Sequence, residues 1–311
     1  MDDQQLLTNY LKKKGCSKRS IGTYTRAFNT FMGWLESRHM ESENVTYSEL
    51  LDYIAWLRKK GNVQSTVQNY LLAITHYYEA LVRAEVIATN PGKYITLKTK
   101  QTRKLYPVLG KEQLENLYTT FEIKAYRKTK PTAHASAMRN KIITGLMIYQ
   151  GLTVTTLATL TVNDADVLGG SIHIKGGRKH AARTLPLQAR QIIELDRYIN
   201  QTRKELQQAF GQEESDLLLI HGYTNYGDLH NQRVMKRLKR KEPQLQSLQH
   251  IRASVITHWL KQYNLREVQY MAGHKRVMST EAYLQNDTEG LQLDIDRFHP
   301  MNEMKSNLET K

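Results

Sequence analysis

Arg252, His274 and Tyr283 are the residue types that a phosphoryl-transfer site working without a metal requires. A tyrosine hydroxyl that attacks phosphorus becomes covalently esterified and expels an alkoxide. Guanidinium or imidazolium donors must hold the non-bridging oxygens as charge builds there, and a cationic acid must protonate the leaving oxygen. His274 and Tyr283 stand nine residues apart in "GHKRVMSTEAY". A tyrosine taken alone is ordinarily a packing residue, so its companions decide the reading. Arg252 lies in "LQHIRASVITHWL", a predicted helix with Ile251, Val255, Ile256 and Trp259 on its apolar face, from which a guanidinium can grip phosphate with two parallel bonds. His258 and Trp259 read as packing residues. Lys175 falls at the strand-to-turn junction of "SIHIKGGRKHAARTLPL", where a hairpin can carry a charged tip into a groove; Lys179 is the alternative on the same turn.

These residues need elements to place them. Apolar spacing predicts helices over 3–13, 19–37, 47–60 and 65–87, the third opened by a Thr46/Glu49 capping box and closed by Gly61, the fourth closed by "TNPG" at 89–92. Residues 92–110 carry five basic residues and no acidic one, between glycine and proline boundaries. That reads as a linker, either a charged tether or a segment that follows a phosphate backbone. Beyond it, "KEQLENLYTTFE", "ASAMRNKIITGLMIYQGL" and "TVTTLATL" read as helical. "DADVLGGSIHI" and "ARTLPL" read as strands with a glycine-rich turn between them, and "DLLLI" at 216–220 as a short strand. Helices are predicted over 188–210, 229–240, 248–262, 264–272 and 277–285.

Composition narrows the partners. The chain has 311 residues, enough for two domains, with 40% hydrophobic and 24% charged residues. No apolar run is long enough to span a membrane and no secretory leader opens the chain, which predicts a cytoplasmic protein with no membrane partner. One cysteine, Cys16, rules out an internal disulfide framework, and scattered histidines predict no metal site. A formal net charge of +15 points to nucleic acid, because lysines and arginines release counterions from a phosphate backbone. Lys18, Arg19, Ser20, Thr23 and Arg26 have the layout of a helix start facing DNA, and Lys98, Lys100, Arg103, Lys104 and Lys179 extend the basic set. The helix containing "RVMKRLKRK" at 233–241 is either a phosphate-facing or a solvated face.

The run "LQHIRASVITHWLKQYNLREVQYMAGHKRVMSTEAYLQND" resembles the catalytic end of the tyrosine recombinases, the phage integrase and Xer-type site-specific DNA recombinases. "YQGLTVTTLATLTVNDAD" is similar to their Gly-Leu-Arg, helix, Leu-x-x-x-Asp segment, and "IKGGRKHAARTLPL" to their lysine-bearing hairpin. The resemblance implies a mainly α fold with a small antiparallel sheet (α+β). Residues 1–90 would form a SAM-like helical core-binding domain, 91–107 the linker, and 108–286 the catalytic domain. In the tail, 287–311, Leu291, Leu293, Ile295 and Phe298 would dock either on a neighbouring protomer or on their own domain. It further implies recombination through a 3′-phosphotyrosine. Tyr283 would attack, Arg252, His274 and Gln249 would hold the phosphate, and Lys175 would protonate the leaving oxygen, with no metal, ATP or other cofactor. Implied partners are duplex DNA bearing recombination sites, further copies forming a dimer to tetramer on it, and accessory DNA-bending proteins.

Two positions depart from the pattern. Thr153 stands where the family has its first phosphate-binding arginine, and Gln249 where it has a histidine. Arg139, Lys141 and Arg178 are the nearest cations in sequence to fill the gap, each with ordinary surface charge as its alternative. The competing reading is an architectural or regulatory DNA-binding protein of the same fold with weak or absent cleavage.

Overall fold

Helical periodicity becomes helices α1 (Asp3–Lys13), α2 (Lys18–Glu36), α3 (Tyr47–Lys59) and α4 (Gln64–Arg83). The computed structural model describes residues 2–98, 105–119, 131–178, 180–221 and 229–286. The chain divides into two compact units, 1–103 and 104–311.

In the first unit the capping box forms as predicted, with the Thr46 amide donating to Glu49 Oε2 at 2.7 Å and the Ser48 amide to Thr46 Oγ1 at 3.3 Å. α4 stops at Arg83 rather than at 87. Glu85 adopts a left-handed φ of 59°, and the Val86 amide turns back to the Leu81 carbonyl at 3.1 Å. A non-glycine residue in this closing position leaves no sequence signal. "TNPG" is instead a turn strapped to α4, with Asn90 Nδ2 donating to the Thr75 carbonyl at 2.9 Å. The core is built of rings from α2, α3 and α4: Phe28, Phe31, Trp34, Tyr53, Tyr77 and Tyr78 are all buried. Tyr77 and Tyr78 still need hydrogen-bond partners, and their hydroxyls donate to Ser42 Oγ and Ser42 O at 2.9 and 3.0 Å.

The second unit wraps α5 (Lys111–Thr119), α8 (Ala189–Arg197) and α9 (Arg203–Phe210) around the apolar α6 (Pro131–Tyr149). α7 is a single turn, Val154–Leu157. The sheet has order β1 (Ala165–Asp166), β2 (Ser171–Ile174), β3 (Arg183–Pro186), antiparallel throughout, with Ile174 opposite Arg183. The stretch read as one strand over "DADVLGGSIHI" is two, because Asp166 Oδ1 accepts the Gly169 amide at 2.7 Å and closes a turn. "DLLLI" is not a strand. Leu217 makes a single bridge to Thr161, while the Arg203 guanidinium takes the Ser215 and Leu217 carbonyls that a longer ladder would use. α10 (Leu229–Lys241), α11 (Leu248–Leu260), α12 (Leu265–Ala272) and α13 (Met278–Glu281) complete the described chain. The helix expected over 277–285 breaks after Glu281, so Tyr283 stands in a turn before a 3-10 turn at Leu284–Asn286. None of the described helices is long and apolar enough to cross a membrane.

Candidate active site

α11 is buried on nearly every side, and so is its arginine. Arg252 is 5% exposed and spends its donors on the Gly151 carbonyl, on the Ala272 carbonyl at 2.8 Å and on His274 Nε2 at 3.0 Å. Those bonds bring the 151–153 turn, the end of α12 and His274 to one guanidinium. Burial holds Arg252 below the ordinary arginine range, offset in part by the neighbouring Tyr283 hydroxyl.

α12 ends at Gly273 with φ 69°, and this left-handed residue swings His274 back over the helix. The His274 amide donates to the Gln269 carbonyl and Gln269 Nε2 returns a bond to the His274 carbonyl, both at 3.0 Å. Since a guanidinium has only donors, His274 Nε2 accepts from Arg252; Nδ1 then carries the proton, shared with Thr280 Oγ1 at 2.9 Å. The His274 ring lies parallel to that of Tyr283, 5.7 Å between centroids and 9° between planes. Tyr283 is 6% exposed, packed with Ala253, Ile256, Val268 and Ala272. The exposed Gln249 donates its amide to the Tyr283 hydroxyl at 3.3 Å. The phenol oxygen therefore lies one side chain below the surface.

Tyr283, Arg252, His274 and Gln249 are thus in one cluster. Lys175, at the end of β2, is 63% exposed and pairs with Asp164 at 3.2 Å and Thr161 Oγ1 at 3.5 Å. Burial raises the Asp164 carboxyl, but hydrogen bonds from the Thr161 amide and hydroxyl, with Lys175, outweigh it and hold the group below the ordinary carboxylate range. The hairpin carrying Lys175 is fastened to the cluster: His180 bridges to His274, and the Ala181 amide donates to the Gly273 carbonyl at 3.0 Å.

Thr153 serves as the cap of α7, its hydroxyl 2.9 Å from those of Thr155 and Thr156 and accepting the Thr156 amide at 3.3 Å. Two cations considered as replacements have other employment. Arg139 is buried and donates to the Ile220 carbonyl at 2.7 Å, and Lys141 pairs with Glu194 at 2.5 Å, so neither is the solvated surface charge of the alternative reading. Arg178 is exposed on the hairpin. His258 packs as expected, its Nε2 2.7 Å from the Leu109 carbonyl.

Sequence reasoning missed Arg183. It is 4% exposed, on the inward face of β3 with Leu185, and its guanidinium lies across Gly273. The signal was the two-residue alternation of "RTLP", which puts Arg183 on the same face as a core leucine. In the first unit, Lys18, Arg19, Thr23 and Arg26 are exposed along the start of α2 and Ser20 is half-buried. Lys98 is described; Lys100, Arg103, Lys104, Lys179 and the tail 287–311 lie outside the described residues.

The phage integrase family model matches residues 107–289, more than half of the chain. The chain belongs to the phage integrase family. A second model, the N-terminal SAM-like domain of phage integrases, matches residues 4–85. Within the phage integrase family, the chain is 24% identical over 296 residues to tyrosine recombinase XerD of Oceanobacillus iheyensis, covering 93% of this chain and 94% of that one. Its fold is similar to that of the XerH site-specific recombinase bound to palindromic difH substrate in a post-cleavage complex. The TM-score is 0.63 at 18% identity, over 95% of this chain and 84% of that one. It is also similar to a lambda integrase tetramer bound to a Holliday junction, with TM-score 0.60 at 12% identity, over 90% and 75% of the two chains.

Proposed function

We propose that this phage integrase family member is a site-specific DNA recombinase that cleaves and rejoins strands through a 3′-phosphotyrosine. One observation carries the reading: the Tyr283 hydroxyl accepts a hydrogen bond from Gln249, and His274, stacked on the Tyr283 ring, is bonded to the buried Arg252 guanidinium. The phenol oxygen attacks phosphorus and passes its proton to His274 Nε2; His274, thereby protonated at both nitrogens, donates with Arg252 and Gln249 to the non-bridging oxygens. The P–O5′ bond breaks, and the leaving oxygen takes a proton from the hairpin lysine, Lys175 with Lys179 as the alternative. Attack by a 5′ hydroxyl of either strand reverses the step, so the phosphotyrosyl bond conserves the energy needed for rejoining.

The exposed basic start of α2 and the chain's net charge supply sequence-independent grip on duplex DNA. By analogy with the lambda integrase tetramer, copies would assemble on DNA as dimers and tetramers, with the 287–311 tail as a candidate protomer contact and DNA-bending proteins as accessories. The second reading, a DNA binder of weak or absent chemistry, is favoured by Thr153, whose hydroxyl replaces a guanidinium donor, and by Gln249, whose amide replaces an imidazole.

A duplex nicked beside the cleavage point, so that the released fragment diffuses away, separates the two. The wild-type chain is expected to accumulate a denaturation-resistant protein–DNA adduct and Tyr283→Phe none. Tight DNA binding with no adduct from wild type would establish the second reading.

A further inference from the structure

The fold shows how it treats an arginine buried for structure alone. Arg203 spends Nε, Nη1 and Nη2 on the carbonyls of Leu217 and Ser215 and on Gln207. Arg183 is buried more deeply still and treated differently. Its Nε has no hydrogen-bond partner, and Nη1 has a single contact to the Ala181 carbonyl at 3.3 Å. Among the described residues neither Arg183 nor Arg252 is ion-paired with a carboxylate. Burial and the neighbouring charge of Arg252 push Arg183 down to about 10. His180 is also held below its ordinary range, by burial and by the charges of Arg183, Lys275 and Arg252. A buried cation with unused donors beside a second buried cation is unfavourable until an anion joins them.

The position of Arg183 indicates which anion. Its guanidinium lies against Gly273, where a methyl group would overlap Nη1 and stand 2.6 Å from Cζ. Gly273 is the residue before His274, and Arg252 bonds both His274 and the Gly151 carbonyl, two residues before Thr153. The unused donors therefore belong to the Tyr283 cluster.

We propose that Arg183 is a phosphate-binding residue of this site, supplying with Arg252 the second guanidinium that Thr153 does not, and that its ligand is the backbone phosphate attacked by Tyr283. This rests on the strand-exchange reading for the identity of the ligand, but not for the existence of an anion site.

The test has two arms on the full chain. In thermal melts, inorganic phosphate is expected to raise the Tm of wild type and of Tyr283→Phe, and not that of Arg183→Gln. In single-turnover cleavage of the nicked duplex, Arg183→Gln is expected to slow adduct formation about 100-fold or more, the loss typical of one transition-state donor. Adding Thr153→Arg to that variant should recover at least about tenfold. Should Arg183→Gln fail to fold, Arg183→Lys, which keeps the charge and loses the fork, is expected to melt as wild type and cleave about tenfold more slowly. Wild-type cleavage and a wild-type phosphate shift in a folded Arg183 variant would overturn the proposal, as would a cleavage loss that Thr153→Arg leaves unrepaired. A phosphate shift that depends on Arg183, in a wild type that forms no adduct, would uphold the anion site and contradict strand exchange.

Discussion

Gly273 concentrates two demands on one residue. Its φ of 69° turns the chain out of α12, and the absence of a side chain leaves room for the Arg183 guanidinium. A left-handed alanine costs roughly 1–2 kcal/mol in backbone strain alone. Gly273→Ala must also displace the guanidinium. The variant is therefore expected to melt lower than wild type and to lose more adduct formation than its fraction unfolded explains; cleavage matching the folded fraction would count against the packing of Arg183 on Gly273. At this scale the clustering of Tyr283, His274, Arg252 and Gln249 was legible from order and spacing, because the cluster draws its residues from short consecutive stretches. The burial of Arg183 could be read from the alternation of "RTLP", but its place against Gly273, across the fold, could not, because spacing along the chain does not encode it.

At the scale of elements, the β2–β3 hairpin is held from both ends. The His180–His274 bridge fixes its return arm, and Asp164 fixes Lys175 on the outgoing strand. Asp164 is a buried carboxylate whose folded-state pKa is depressed, so its stabilisation is present above the unfolded value of about 3.9 and is lost as pH falls through the lower folded one. Asp164→Asn is accordingly expected to destabilise the chain by about 1–3 kcal/mol at neutral pH, with the gap to wild type closing at pH values below about 4. Melts across that range check it; a gap that persists unchanged into acid would contradict the assigned ionisation. Helix starts and the hairpin were readable from capping and turn residues. The end of α4 and the break at Tyr283 were not, since Glu85 closes its helix as a non-glycine and Tyr283 sits in a turn with neither glycine nor proline. "DLLLI" failed as a strand because apolar residues alone do not show that Arg203 has claimed the carbonyls.

For the whole molecule, the net charge of +15 makes a quantitative statement about DNA. If the basic faces of the chain together meet about 6–10 phosphates, affinity is expected to fall by about 10³–10⁵ between 50 and 200 mM salt, linearly in log–log form. Filter binding or fluorescence anisotropy across that range measures the slope; a shallow slope would mean that most of the positive charge never meets the backbone. The two-unit organisation was legible because a helical first portion and a basic, breaker-bounded stretch precede the mixed second portion. Which cations face a duplex was not legible, because a solvated lysine and a phosphate-bound one have the same sequence.

In the proposed reaction the Tyr283 oxygen becomes the covalent attachment point for DNA. Mass spectrometry of the nuclease-trimmed, trypsin-digested adduct tests it most directly. The expected product is a nucleotide attached through its 3′ phosphate to the peptide spanning residues 277–297, which contains Tyr283 as its sole tyrosine. Attachment to any other peptide, or through a 5′ phosphate, would contradict it.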